Sequence, residues 1–285
     1  MKPQLETTIA GVRRWLADRR IGPVVLIPTM GALHSGHVAL IEEGRRLAAP
    51  GGTVAVSIFV NPTQFGPTED LGAYPRDLEG DLAKCGLAGA DVVFAPEAGE
   101  IYFPDASMDV RELSLSKLLC GASRPGHFEG VCLVVLKLFH IIRPAAAVFG
   151  KKDRQQLAII ERMVRDLNIE VAIHGVETVR ETDGLAMSSR NAYLTPEQRR
   201  QAPALRRALL AAAARFRDGE RNAAALLARA RETLDSEASL GRLDYLEVVD
   251  AATMQRVESI AAPAVVAAAC FFGTCRLIDN IELSP

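Results

Sequence analysis

No C-x-x-C pair occurs in the sequence, and its five cysteines (Cys85, Cys120, Cys132, Cys270 and Cys275) are odd in number and widely scattered. This argues against both a zinc ribbon and a disulfide framework, and it makes a reducing cytoplasm the simplest compartment. No segment reaches the roughly 18 uninterrupted apolar residues that a membrane span requires. The opening "MKPQLETTIAGVRRWLADRR" interleaves acids and arginines with short apolar steps where a secretory signal would have a continuous apolar core. A soluble, unprocessed product is therefore expected. The formal net charge of −2 leaves no global basic field, so neither nucleic acid nor an anionic membrane is an expected partner. Any anion-binding site must be local, yet neither a Walker A sequence nor G-x-G-x-x-G is present to form one.

What the chain does have is apolar content: 49% of its 285 residues, with 24% charged, enough to bury a sizeable core. The apolar residues fall in alternating patterns. "VVLIP" reads as a short buried strand and "HVALIEEGRRLA" as the helix after it, following a first amphipathic helix around Ile9 to Arg20. "TVAVSIFV", "DVVFAP", "AAAVFG" and "IEVAIHGVET" read as further strands. Helices are expected within "YPRDLEGDLAKCGLAGA", "GVCLVVLKLFHIIRP" and "KKDRQQLAIIERMVRDLN". Continuous rather than alternating apolar strands imply a parallel sheet covered on both faces. Near residue 180 the character changes. Thr195, Pro196 and Gln198 form a capping box that opens a long Ala/Arg-rich helix, a second Ala-rich helix runs from about Asn222 to Glu237, and three strands follow. The expected fold is α/β: a Rossmann-like parallel sheet with helices on both faces over residues 1–178, and a smaller α+β unit over 179–285 that could act as a lid.

"IPTMGALHSGH", residues 27 to 37, spends two of the five histidines in one loop between strand and helix. At a helix N-terminus, backbone N–H groups and the positive dipole end face whatever docks there. His34 and His37 can add hydrogen bonds to a phosphate whose charge rises in a transition state, and Gly31 and Gly36 allow close approach. A surface turn or half of a metal site are the alternatives from this stretch alone. No H-E-x-x-H accompanies the pair.

The H-x-G-H form resembles that of the nucleotidyltransferase superfamily, and "DGLAMSSRNAYL" resembles that superfamily's second phosphate-binding motif: two hydroxyls and a guanidinium suit phosphate oxygens. Together with "FVNPTQFGPTEDLGAYPRD", "RPGHFEGV", "VFGKKDRQQL" and "VRETDGLAMSSRN", in this order, the chain resembles the pantothenate synthetase family over about residues 24 to 195. The resemblance implies a ligase that joins (R)-pantoate to β-alanine through a pantoyl adenylate, with ATP, magnesium and a homodimeric assembly. It implies catalytic roles for His37, His34 and Lys152. Met30 and Gly31 would lie against the nucleotide, Gly150, Lys151, Lys152 and Asp153 would contact phosphates and ribose, and Val179 would contact adenine. Met187, Ser188, Ser189 and Arg190 would close on the phosphates. Gln64 and Gln156 would hold pantoate, with Gln64 also near β-alanine, and Asn61 is read as a turn residue near that pocket. Asp81 matches a family carboxylate associated with magnesium, although Gly80 and Asp77 depart from the family's usual residues beside it. Arg124 is a plausible phosphate or substrate arginine, His127 is as readily structural, and His140 and His174 are expected in the core or in strands.

Two other readings stay open on the sequence. One is a nucleotidyltransferase that stops after transfer, although "NPTQFG" with "FGKKDRQQL" is not expected there. The other is a nucleotide-binding regulatory module, in which His34 and His37 would be dispensable.

Overall fold

The computed structural model describes residues 2–19, 21–67, 69 and 71–285. In chain order its elements begin β1 (Gln4–Glu6), α1 (Ile9–Arg19), β2 (Val24–Thr29), α2 (Ser35–Ala48), β3 (Thr53–Ile58), α3 (Leu78–Leu87), β4 (Val92–Phe94) and α4 (Ala98–Ile101). There follow α5 (Leu119–Ser123), α6 (His127–Ile142), β5 (Ala146–Gly150), α7 (Arg154–Asp166) and β6 (Ala172–Val176). The last third holds α8 (Pro196–Gln201), α9 (Ala204–Arg217), α10 (Ala223–Glu237), β7 (Gly241–Asp250), β8 (Ala264–Phe272) and β9 (Cys275–Leu283). Arg20, at the expected end of the first helix, lies outside the described residues.

The chain packs into two compact units. The first comprises residues 1–112, 124–151 and 159–177, the second residues 113–123, 152–158 and 178–285. A single cut after residue 178, as read from sequence, does not describe this division, because two short segments pack with the later part of the chain.

The first unit carries six parallel strands in the order β1-β4-β3-β2-β5-β6. Val24 to Ile27 and Thr53 to Ser57 are buried without alternation, as the apolar runs require of strands covered on both faces. Strand order reverses between β2 and β5: from β2 the chain steps outward through β3 and β4, then returns to pair β5 with the other edge of β2. Loops at the carboxyl ends of strands on either side of such a reversal form the usual ligand crevice of open α/β sheets. In the first unit those loops begin at Met30 and at Lys151.

In the second unit, α9 and α10 pack on the antiparallel sheet β7-β8-β9 through Leu205, Leu209, Leu226, Val266 and Phe272. Thr195 and Gln198 make the anticipated reciprocal cap at 3.3 and 3.0 Å. The helix they open is shorter than its composition implies. It stops at Gln201, and Pro203, which has no N–H to continue the ladder, becomes the cap of α9. Edge strand β1 is also absent from the sequence reading, since three residues show no periodicity. Among the described residues no helix is long and apolar enough to cross a membrane.

Candidate active site

The turn from β2 into α2 has two successive residues in the left-handed region, Gly31 (φ 80°) and Ala32 (φ 50°). For alanine that conformation is strained and needs an external hold. Asp81, on α3, supplies it: its Oδ2 accepts from Ala32 N–H at 2.8 Å and its Oδ1 from Leu33 N–H at 2.7 Å. Asp81 is only 1% exposed, and burial pushes its carboxyl above the ordinary aspartate range against the pull of the Leu33 and Ala32 amides and Lys84. A Cβ on Gly31 would stand 3.0 Å from Ile58 Cγ2 and 3.1 Å from Asp81 Oδ2, so glycine suits the position sterically as well as conformationally.

That turn delivers the two histidines as a capping box of their own. His34 is the N-cap of α2, and its Nδ1 accepts from Gly36 N–H at 3.1 Å; His37 Nδ1 accepts in return from His34 N–H at 3.3 Å. The rings stand 4.1 Å apart, tilted by 35°. A backbone N–H can only donate, so both Nδ1 atoms are acceptors, and each neutral ring carries its proton on Nε2. The motif thus presents two N–H donors one turn apart at a helix N-terminus, which is chemistry for an anion.

Gln64 sits in a 3-10 turn after β3, capped by Asn61. Its side-chain Oε1 accepts from Asn61 Nδ2 at 3.1 Å, and its Nε2 lies 2.9 Å from Met30 Sδ, which ties this turn to the histidine loop. Asn61, 1% exposed, spends its amide on neighbours: Nδ2 also donates to Gly130 O, and Oδ1 accepts from Thr63 N–H, Thr63 Oγ1 and Tyr102 Oη. It thereby holds the Gln64 side chain by its oxygen. Tyr102 is a member of this network that sequence reading misses, because no motif surrounds it.

Gly150 closes β5, as anticipated, and Lys151 pairs with Glu177 in the same unit. In the second unit, the carbonyl of Lys152 accepts from Asn280 Nδ2 at 2.9 Å, and Asp153 ends the short turn before α7. The two glutamines that follow divide their work. Gln155 is buried and holds the segment 115–120 through Leu115 O, Leu118 O and Cys120 N–H, leaving Gln156 half-buried as the available amide.

Val179 and Met187 face each other across a tight hairpin, with Met187 N–H donating to Val179 O at 3.0 Å and Glu181 N–H to Leu185 O at 2.8 Å. Ser188 then caps the turn Ser189–Tyr193 by accepting from Arg190 N–H at 3.3 Å. Both serines and Arg190 are half-buried.

Two residues depart from their expected placement. Asp81 engages both oxygens with main-chain N–H groups, so it is a loop anchor and does not fit an open magnesium ligand. Among the described residues, no group of three or more His, Cys, Asp or Glu side chains could hold a metal ion. His140 is exposed near the end of α6, its Nδ1–H donating to Leu136 O at 2.8 Å, rather than buried in the core.

Known proteins share the sequence and fold over nearly the whole chain. The family described as Pantoate-beta-alanine ligase matches residues 4–282. A pantothenate synthetase from Akkermansia muciniphila is 54% identical over 271 residues, covering 93% of this chain and 94% of its own. One from Myxococcus xanthus is 52% identical over 288 residues, covering 99% and 97%. The crystal structure of the Thermus thermophilus enzyme superposes with a TM-score of 0.93 at 46% identity, covering 99% of this chain and all of its own. That of the Francisella tularensis ligase complexed with Beta-gamma ATP and Beta-alanine gives 0.76 at 30% identity, covering 98% and 97%. With a family match over residues 4–282, relatives above 50% identity and near-complete coverage, the chain belongs to the pantoate–β-alanine ligase family.

Proposed function

We propose that the chain joins (R)-pantoate to β-alanine in two steps on ATP, and that the histidine loop binds the reacting phosphates. In the first step a pantoate carboxylate oxygen attacks the α-phosphorus and pyrophosphate leaves. In the second the β-alanine amine attacks the acyl carbon, and AMP leaves with the oxygen that had bridged the two. The observation that carries this reading is the reciprocal histidine cap: two Nε2–H donors beside the sheet's reversal point suit the charge that builds on the phosphates during both displacements. No protein nucleophile is needed, because positioning and charge neutralisation overcome the repulsion between carboxylate and phosphate.

Met30 and Gly31 lie along the nucleotide in this proposal. Gly150, Lys151, Lys152 and Asp153 serve phosphates and ribose, Val179 serves adenine, and Met187, Ser188, Ser189 and Arg190 serve the phosphate tail. Gln64 and Gln156 hold pantoate, with β-alanine next to Gln64. Magnesium arrives as the companion of ATP, whose phosphates supply its oxygen ligands. The ligand set named for the Francisella structure supports ATP and β-alanine as substrates. Residues 179–285 acting as a lid, a homodimeric assembly and a cytoplasmic location complete the proposal; ligand-dependent protease sensitivity tests the first.

The experiment is product analysis with ATP and magnesium, adding pantoate and β-alanine singly and together. Continuous AMP release is expected only with both. Adenylylated product without AMP would favour a transferase that stops after the first step.

A further inference from the structure

The contacts of the segment "RPGHFEGV" converge on one backbone group. His127 opens α6, and its Nδ1 lies 2.9 Å from the carbonyl oxygen of Gln64, to which Arg124 Nη2 also donates at 3.3 Å. A carbonyl can only accept, so Nδ1 carries the proton and the neutral ring's Nε2 accepts from Arg124 Nη1, 3.0 Å away. Arg124 is fixed from its other side by a two-point pair with Glu69, at 2.8 and 2.6 Å, with side chains 17% and 24% exposed. Gly130 completes the contact. A Cβ there would strike the Thr63 carbonyl and stand 2.7 Å from Gln64 N, so only glycine lets the first turn of α6 lie this close.

Gln64 is thereby held at its carbonyl by His127 and Arg124, and at its amide by Asn61 and Met30. We propose that Glu69, Arg124 and His127 are positioning residues that clamp the main chain of Gln64 and so set the affinity for the hydroxy acid, while the nucleotide is bound independently of them. This rests on the reading that Gln64 holds pantoate. The rival role is direct: Arg124 as a receptor for a substrate carboxylate, with Glu69 as its competitor.

The test is the KM for pantoate and for ATP in the full-length enzyme, with thermal midpoints recorded alongside. His127→Leu removes the donor to Gln64, and an approximately tenfold rise in the pantoate KM is expected, with the ATP KM within twofold. His127→Asn places an amide N–H where Nδ1–H stands and is expected to recover most of that loss. Glu69→Gln discriminates between the two roles without removing bulk. The clamp predicts a higher pantoate KM, whereas a receptor arginine freed of its competitor predicts a lower one. A lower KM in Glu69→Gln, parallel rises for both substrates, or an unchanged pantoate KM in a folded His127→Leu would each overturn the clamp. Failure of the wild-type enzyme to use pantoate at all would instead overturn the reading beneath it.

Discussion

His34→Asn is expected to lower kcat by about two to three orders of magnitude while leaving the fold and thermal midpoint close to wild type. Asparagine is among the best N-cap residues, and its Oδ1 can take over the bond that His34 Nδ1 accepts from Gly36 N–H. What it cannot reproduce is the reach of the ring to an Nε2–H donor. His37→Ala loses both the donor and the return bond from His34 N–H, so a comparable loss of kcat is expected together with about 1 kcal/mol of stability. Measuring kcat and urea stability on both variants separates the two functions of the pair. Retained turnover in either folded variant would contradict the role given to that histidine.

Asp81→Asn is expected to be nearly as damaging, although Asp81 is proposed to touch no substrate. Its two oxygens hold Ala32 and Leu33 N–H groups, and an amide in their place offers one acceptor and sets an N–H donor against a backbone N–H less than 3 Å away. The strained turn at Gly31 and Ala32 then relaxes, and the histidines that follow shift with it. A displacement of about 1 Å at a reacting centre costs on the order of 100-fold in rate, so a fall of that size in kcat/KM is expected. Gly31→Ala should cause the same defect from the other side by crowding Asp81 Oδ2 and Ile58, and the two substitutions together should do little more than either alone. The pH dependence has a definite sign. Because burial raises the Asp81 carboxyl, the folded state binds that proton more tightly than the unfolded chain. The group's contribution to stability is therefore full below the ordinary aspartate value of 3.8 and declines as pH rises through its folded value. Ionised Asp81 is thus held in place at a cost in stability.

Much of this is legible in the sequence. The continuous apolar strands announce a parallel sheet, and H-x-G-H with "MSSR" announces phosphate chemistry, because side-chain type and spacing carry those signals. What the spacing of His34 and His37 cannot show is which nitrogen faces which backbone N–H, and hence that the pair caps its own helix. Asp81 reads as a metal ligand because the residues it binds lie 48 and 49 positions away and contribute only main-chain N–H groups, which leave no mark in a sequence. Asn61 and His127 share that difficulty: Gly130 O and Tyr102 Oη, which Asn61 engages, and Gln64 O, which His127 engages, are brought near only by the fold. Pro203 is legible as a helix breaker, yet the alanine-rich run around it carries the reading through to one long helix.

The most direct test of the central claim is the fate of oxygen from pantoate labelled with ¹⁸O in its carboxylate. One labelled oxygen is expected in the AMP released by a turnover with β-alanine, because that oxygen bridges the acyl carbon and the α-phosphorus before the amine displaces it. Label appearing in inorganic phosphate, or AMP free of label, would contradict a pantoyl adenylate and with it the role given to the histidine loop.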